Sequence, residues 1–237
     1  MRVPDDRELL ALWERGLNRH PIDRALLLGA WARPELPPDR VAELPLGALN
    51  SALLRLREAC FGSRMEAFVD CGLCDTRMEL ALEVSDLLVA SLDGDVRDEL
   101  HLAGFRFRVP DSRDLASVAS ESEPETAALR LLDRCCIDRP EGCAPAELSG
   151  LLAEVEAGLE MLDPTADFEL SLACQACGRE WTASLHVPEL LWDELDARAR
   201  MLLGEVHALA RSYGWTESEI LTLSPRRRAV YMDMAGG

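Results

Sequence analysis

Two Cys-x-x-Cys turns that belong to an internal repeat constrain the fold of this chain more than any other feature. The matched positions lie at a constant offset of 103 residues and include Cys71 and Cys174, Cys74 and Cys177, Leu82 and Leu185, and Val84 and Val187. A Cys-x-x-Cys turn brings two sulfurs to one metal ion while nearby backbone N–H groups stabilise their charge. We therefore predict one structural zinc ion per chain, which ties the two halves together and is bound by Cys71, Cys74, Cys174 and Cys177.

Other uses of these four cysteines are weaker interpretations. A catalytic zinc ion needs an open coordination position, and four thiolates leave none. A redox dithiol suits a single Cys-x-x-Cys turn better than two copies in equivalent hairpins. The site is therefore expected to be structural rather than catalytic.

Composition favours a folded, mainly helical protein that does not bind nucleic acid. A chain of 237 residues with 48% hydrophobic content can bury a substantial core. Leu, Ala, Arg and Glu are strong helix formers, and they have to supply most of the packing because aromatic residues make up only 5% of the chain. The formal net charge of −18 opposes the phosphate neutralisation that nucleic-acid binding requires. It suits a basic protein partner, and the alternative is that it only keeps the protein soluble.

The same sequence predicts a cytoplasmic protein without a membrane partner. The N-terminus has no apolar segment typical of a signal peptide, and the longest apolar run, residues 25–32, is too short to span a bilayer. Thiols in the cytoplasm stay reduced, so the eight cysteines indicate metal binding rather than a disulfide framework.

Hydrophobic periodicity predicts an α+β protein, mainly helical, with a small antiparallel β element built from the two repeated Cys-x-x-Cys hairpins and bridged by the structural zinc. The strands are predicted at residues 65–70, 77–84, 100–109, 167–173 and 180–187. Helices are predicted in the first sixty residues, at 127–137, at 146–162, and from 188 to a stop at Gly214.

These patterns divide the chain into five consecutive regions, which we expect to fold together as one domain. They are an N-terminal helical region (1–62), the first hairpin and following strands (63–110), an acidic linker and helical insertion (111–166), the second hairpin (167–187) and a C-terminal helical region (188–237). Within the linker, residues 111–119 are predicted to form a short helix.

The remaining cysteines lack the spacing of metal ligands. Cys135 and Cys136 are adjacent in a predicted helix, where neighbouring side chains diverge by about 100°. Burial in the core is the simpler interpretation of these two cysteines, of Cys60 and of Cys143. A second metal site formed by Cys135 or Cys136 together with Cys143 is the alternative.

No set of residues indicates an enzyme. The four histidines are scattered, and the sequence contains neither a Ser/His/Asp or Cys/His set nor a Gly-rich phosphate loop. We therefore predict no catalytic residue, no further cofactor and no small-molecule substrate. The one basic run, Arg226-Arg227-Arg228, is interpreted as solvated or paired with neighbouring acids.

Three stretches resemble the T-even-type phage baseplate protein family of contractile phage tails and phage-tail-like injection systems. They are residues 9–28 with Trp13-Glu-Arg-Gly16 and His20-Pro21, the turn Phe107-Arg-Val-Pro110-Asp-Ser-Arg113, and residues 191–231 with Tyr213-Gly-Trp215 and Ser224-Pro-Arg-Arg-Arg. The resemblance implies a non-enzymatic baseplate component or baseplate hub assembly chaperone. It also implies hub, spike or tube proteins as partners, reached in the cytoplasm during assembly or within the finished particle.

Four tryptophans are candidate interface anchors for such a partner, with burial in the core as the competing interpretation. They are Trp13, Trp31, Trp192 and Trp215.

The rival hypothesis is a zinc-ribbon adaptor in transcription or RNA handling. Such a protein needs a basic or aromatic surface near its cysteine turns. Here the neighbouring residues are mostly acidic: Asp70, Asp75, Glu79, Glu83 and Glu180 against Arg77 and Arg179.

Overall fold

Helices account for most of the computed structural model, which describes residues 2–89, 99–142 and 145–236, and short antiparallel strands complete it. The helices are α1 (Asp6–Gly16), α2 (Pro21–Ala32), α3 (Pro38–Ala42), α4 (Leu46–Phe61), α5 (Val84–Val89), α6 (Ser112–Val118), α7 (Pro124–Cys135), α8 (Pro145–Gly150), α9 (Leu152–Leu162), α10 (Val187–Tyr213), α11 (Glu217–Thr222) and α12 (Pro225–Gly236). The strands are β1 (Arg64–Asp70), β2 (Arg77–Glu83), β3 (Glu99–Leu102), β4 (Phe105–Arg108), β5 (Cys136–Asp138), β6 (Glu169–Ala173) and β7 (Glu180–Ser184). The predicted α+β class is confirmed.

The main hydrophobic core joins the two ends of the chain. The long helix α10 packs against α1, α2 and α4, and Leu28, Leu53 and Leu202 are completely buried between them. Gly16 at the end of α1 lies against the ring of Trp192, where a Cβ atom would come within 2.2 Å of the indole. This close approach requires glycine, because only a residue without a side chain leaves room for the ring. The N-terminal and C-terminal helices are therefore parts of one packed body.

A second, smaller core forms in the middle of the chain. Strands β3, β4 and β5 make a three-stranded antiparallel sheet, and helices α7 and α9 cover it. Phe105, Phe107 and Val155 are buried there, and the two phenylalanine rings stack with their centroids 5.9 Å apart.

The prediction of one strand over residues 100–109 is wrong, because the segment is a hairpin. Leu102 pairs with Phe105, and the two residues between them, Ala103 and Gly104, have φ angles of 49° and 83°. Two consecutive positive φ angles are typical of the tight turn that joins antiparallel strands. The apolar positions shift by one residue across this turn, from Leu100 and Leu102 to Phe105 and Phe107, and this change of phase marks the turn in the sequence.

The predicted helix over residues 127–137 begins earlier and ends earlier than expected. Pro124 opens α7, as its fixed φ angle allows at a first turn, and Cys135 ends the helix. Cys136 is extended and pairs with Phe107, so the prediction that both adjacent cysteines lie in a helix is wrong for Cys136.

Two other features differ from the expected elements. The predicted helix over residues 146–162 is divided at Leu151 into α8 and α9. The Cys-x-x-Cys hairpins form two separate two-stranded sheets rather than one β element, and the third sheet lies between them in sequence. The C-terminal helix ends as predicted, because Gly214 takes the left-handed conformation (φ 71°) that closes a helix.

Polar residues in the segment expected to be a linker are partly buried and paired. Helix α6 begins behind the capping residue Asp111, and Asp114 in its first turn is completely buried. The Asp114 carboxylate accepts hydrogen bonds from Arg108 at 2.5 and 2.9 Å and from Arg134 at 3.0 Å. The acidic residues of this stretch therefore include a buried charge cluster that holds α6 against α7, as well as solvated side chains.

Loss of the Asp114 charge should destabilise the protein mainly above about pH 4. Burial by itself raises the pKa of Asp114, but the hydrogen bonds from Arg108, from the Asp111 N–H and from Arg134 outweigh it and hold the pKa below its ordinary value. A lowered carboxyl pKa contributes stability that is present above the unfolded pKa of about 3.9 and is lost as the pH falls through the folded pKa.

We expect Asp114→Asn to lower the free energy of unfolding by about 3 kcal/mol at pH 7, because it leaves two arginines without their shared partner. The difference from the wild type should shrink below about pH 4. Urea unfolding at pH 7 and below about pH 4 measures this difference in free energy of unfolding. The matched control is the exposed Asp133→Asn, which loses only a surface pair with Arg139. An equal loss at both pH values would contradict the assignment.

None of the helices among the described residues has both the length and the apolar character that crossing a bilayer requires.

Candidate metal centre

The first cysteine turn closes the hairpin of β1 and β2. The strands pair from Arg64 with Glu83 to Asp70 with Arg77, so Cys71 follows directly where the pairing ends. The Cys71 N–H donates to the Thr76 carbonyl at 3.0 Å, and the Asp75 N–H donates back to the Cys71 carbonyl at 2.9 Å. These two hydrogen bonds fold the turn so that both cysteine side chains lie at one end of the hairpin.

The second turn repeats this geometry between β6 and β7. The Cys174 N–H donates to the Arg179 carbonyl at 2.8 Å, and the Gly178 N–H donates to the Cys174 carbonyl at 2.8 Å. Gly178 has a φ angle of 74°, and Asp75, its match at the offset of 103 residues, has a φ angle of 56°. The repeat found in the sequence thus extends to backbone conformation.

All four predicted cysteines come together between the two hairpins. Their sulfur atoms all lie within 4.8 Å of one another. Two of the close pairs cross from one hairpin to the other, Cys71 to Cys177 and Cys74 to Cys174, and each has a sulfur–sulfur distance of 3.7 Å. A zinc ion with four Zn–S bonds of about 2.3 Å places its sulfurs about 3.8 Å apart, so the observed spacing fits a tetrahedral site.

Local hydrogen bonds prepare the first turn to carry negative charge. Backbone N–H groups of Leu73 and Cys74 lower the pKa of the Cys71 thiol. The side chain and the backbone N–H of Thr76 lower the pKa of Cys74 to about 6. Thiolates rather than thiols bind metals, so these contacts favour the ligand form of both residues.

In the second turn, the neighbouring sulfur atoms oppose ionisation of Cys177. A hydrogen bond from the Arg179 backbone lowers the pKa of Cys177, but burial and the neighbouring cysteines outweigh it and raise the pKa to about 12. Adjacent thiolates repel, so the neighbouring cysteines favour the protonated form of Cys177. A divalent cation would remove that repulsion, and the donor set is that of the soft, closed sites that bind zinc.

The cluster lies at the protein surface with one buried and one exposed sulfur in each turn. Cys71 and Cys174 are buried, whereas Cys74 and Cys177 are exposed. Among the described residues, these cysteines form the only group of three or more Cys, His, Asp or Glu side chains that converge on one point.

The other cysteines lie apart from this cluster. Cys135 is buried, and loss of solvation raises the pKa of its thiol to about 12. Burial likewise raises the pKa of Cys60, which is half-buried against the main core. Cys136 is half-buried in β5, with its sulfur 3.3 Å from the Asp138 carbonyl oxygen. Cys143 lies outside the described residues, so the alternative second metal site stays untested.

The four tryptophans singled out in the sequence all make contacts inside the protein. Trp192 is buried over Gly16, and the Trp13 indole N–H donates to Asp196 at 2.7 Å. Trp31 lies beside the Arg2 guanidinium, and Trp215 stacks on Tyr213 with a centroid distance of 4.7 Å. These contacts favour a packing role over exposed anchors.

The basic run divides into one buried and two exposed arginines. Arg228 is 1% exposed and pairs with Asp6 of α1 and Glu205 of α10, while Arg226 and Arg227 face solvent. Pairing with acids is therefore confirmed for Arg228. The sequence does not reveal that Arg228 joins α1 to α10, because nothing in a run of arginines shows which one is buried.

The fold and the cluster define a class: an α+β protein in which four cysteines from two repeated hairpins converge where they could bind a metal ion. Comparison of the chain with models of known protein families, with curated proteins and with solved structures gave no match.

The repeat supplies a direct test of the turn geometry. A left-handed conformation is strained for most residues but is tolerated by Asn and Asp, so Gly178→Asp should retain the fold at a cost under about 1 kcal/mol. Gly178→Val should cost about 1–2 kcal/mol in free energy of unfolding and weaken metal retention. Urea unfolding of the two variants measures the difference. Equal stability of both would show that the conformation at this position does not matter.

Proposed function

We propose that the protein is a non-enzymatic baseplate component, or a baseplate hub assembly chaperone, of a contractile phage tail or phage-tail-like injection system. It would act by binding hub, spike or tube proteins. The proposed role of the metal is structural: one zinc ion, held by Cys71, Cys74, Cys174 and Cys177, would keep the two halves of the chain in register.

The observation that carries this proposal is that the N-terminal and C-terminal stretches that resemble the baseplate family pack against each other. Residues 9–28 form α1 and α2, and residues 191–231 include most of α10 and part of α12. Helix α10 packs against α1, α2 and α12, so these two stretches build one body although they lie at opposite ends of the chain. Gly16 of the first stretch lies against the ring of Trp192 of the second.

The third stretch supports the same reading. Its turn after Phe107 holds the Arg108–Asp114 pair, and the Pro110 carbonyl accepts a hydrogen bond from the Leu46 N–H at the start of α4. Residues that carry the resemblance thus contribute to the shared scaffold. A scaffold of this kind suits a protein that acts by binding other proteins at its surface.

Mass spectrometry of gradient-purified particles and of the soluble pool from the producing cell tests the proposal. Co-sedimentation with tube and sheath proteins would identify a baseplate subunit, and recovery with one hub protein in the soluble pool would identify a chaperone. Finding the protein with neither would contradict the proposal. Strong retention on heparin that falls with salt would instead favour the zinc-ribbon adaptor.

A further inference from the structure

A cavity of about 180 Å³ opens where the first turns of α2, α4, α6 and α10 meet. Its walls are mainly apolar and are formed by Ile22, Leu49, Leu115, Leu185 and Val187. A cavity of about 150 Å³ holds one benzene molecule, whereas pockets for drug-sized ligands begin near 300 Å³. The cavity by itself therefore fits a single bulky apolar side chain.

The cavity continues into a second, open cleft along the first turns of α2 and α10. The two share Pro21, Pro188 and Glu189 as lining residues, and the second extends to Trp192 and Asp193. Through these shared residues the cavity and the cleft adjoin, and together they form one groove. Such a shape suits an extended peptide that inserts one anchoring side chain and lies along the surface beside it.

The wall of the 180 Å³ cavity is held in place before anything binds. The buried Asn50 side chain donates hydrogen bonds to the carbonyls of Thr165 and Ala166, at 2.8 and 3.0 Å. Asp163 caps the start of α4 by accepting from the Gly47 N–H at 2.9 Å. Preorganised walls reduce the entropic cost of binding, so even a small contact can be effective.

The charges around the groove are mostly negative. Asp167, Glu189 and Asp193 line it and are exposed. The one arginine in the lining, Arg24, is committed elsewhere: its guanidinium donates to the carbonyls of Gly16 and Leu17 and lies over the Trp192 ring. The rim of the groove is therefore acidic, in keeping with the net charge of the chain.

We propose that this groove binds a basic peptide segment of a partner protein, with one bulky apolar side chain in the 180 Å³ cavity and Arg or Lys residues against the acidic rim. The inference rests on the proposed binding function and names its surface and the chemistry of its partner. A second copy of this acidic chain is disfavoured as the occupant because like charges would face each other.

A library of yeast-displayed random peptides, sorted against the purified full-length protein, tests the inference. Enriched peptides should carry one large apolar residue next to Arg or Lys. A synthetic peptide of the enriched type should lose about tenfold in affinity, by fluorescence anisotropy, for the double variant Asp167→Asn/Glu189→Gln. Ala166→Trp, which fills the cavity from a half-buried position, should abolish binding while thermal unfolding stays unchanged.

The matched control is Glu154→Gln/Glu156→Gln, which removes two exposed charges from α9 and should change the affinity by less than about twofold. Peptides that bind the wild type and Ala166→Trp equally, an enrichment of acidic peptides, or no enrichment at all would overturn the inference. If the protein still co-sediments with particles in those cases, only the groove fails and the proposed function stands.

Discussion

Replacing Cys174 by serine should remove the bound metal and lower the thermal midpoint of unfolding by roughly 10–20 °C, about 5 kcal/mol or more for a chain of this size. The sulfur of Cys174 is buried and lies 3.7 Å from that of Cys74, so its loss opens the closed tetrahedral set. The two hairpins belong to separate sheets, and the cysteine cluster lies where the two turns meet. Without the metal, the remaining thiolates repel one another or take up protons instead of holding the hairpins together.

Differential scanning calorimetry and metal analysis of the same preparations measure both effects. Cys136→Ser is the control, since this half-buried cysteine lies outside the cluster and serine can keep the contact with the Asp138 carbonyl. Addition of a strong chelator to the wild-type protein should reproduce the Cys174→Ser midpoint and leave that of the variant unchanged. A variant that unfolds at the wild-type temperature would show that the cluster does not brace the fold.

Arg228→Ala should be the most damaging substitution outside the cysteine cluster, with a loss of about 3–5 kcal/mol in free energy of unfolding. Its guanidinium donates to the Asp6 and Glu205 carboxylates and to the Leu223 carbonyl, and so joins α1, α10 and the turn before α12. Truncation leaves two acids with only the longer contacts to Arg198, at 3.4 and 3.8 Å. An uncompensated charge beside a core costs far more than a surface pair contributes.

Arg227→Ala is the matched control, because the same residue type one position earlier is exposed. Its free energy of unfolding should stay within about 0.5 kcal/mol of the wild type. Guanidinium unfolding of both variants at pH 7 gives the comparison. Similar losses for the two would show that the run acts through its total charge rather than through the buried Arg228.

The sequence was most informative where chemistry fixes spacing. Cysteine ligands have to lie at set positions in a tight turn, so the offset of 103 residues that relates Cys71 to Cys174 also relates the left-handed residues Asp75 and Gly178. The end of α10 could be predicted for a similar reason, since Gly214 takes a left-handed conformation that few other residues accept.

The remaining differences arise where tertiary contacts override local pattern. Cys136 continues a helical spacing in sequence, but pairing with Phe107 in β4 draws it into a strand. Asp114 looks like part of a polar linker until Arg108 and Arg134 are seen around it. The groove could not be predicted either, because its lining comes from five separate segments of the chain.

X-ray absorption spectroscopy at the zinc edge, on protein purified without chelators, tests the central claim most directly. We predict one zinc ion per chain with four sulfur neighbours at about 2.3 Å, as expected for a closed site formed by Cys71, Cys74, Cys174 and Cys177. Metal-free protein, or a zinc ion with nitrogen or oxygen ligands in place of two sulfurs, would contradict the shared site and with it the idea that the metal joins the two halves.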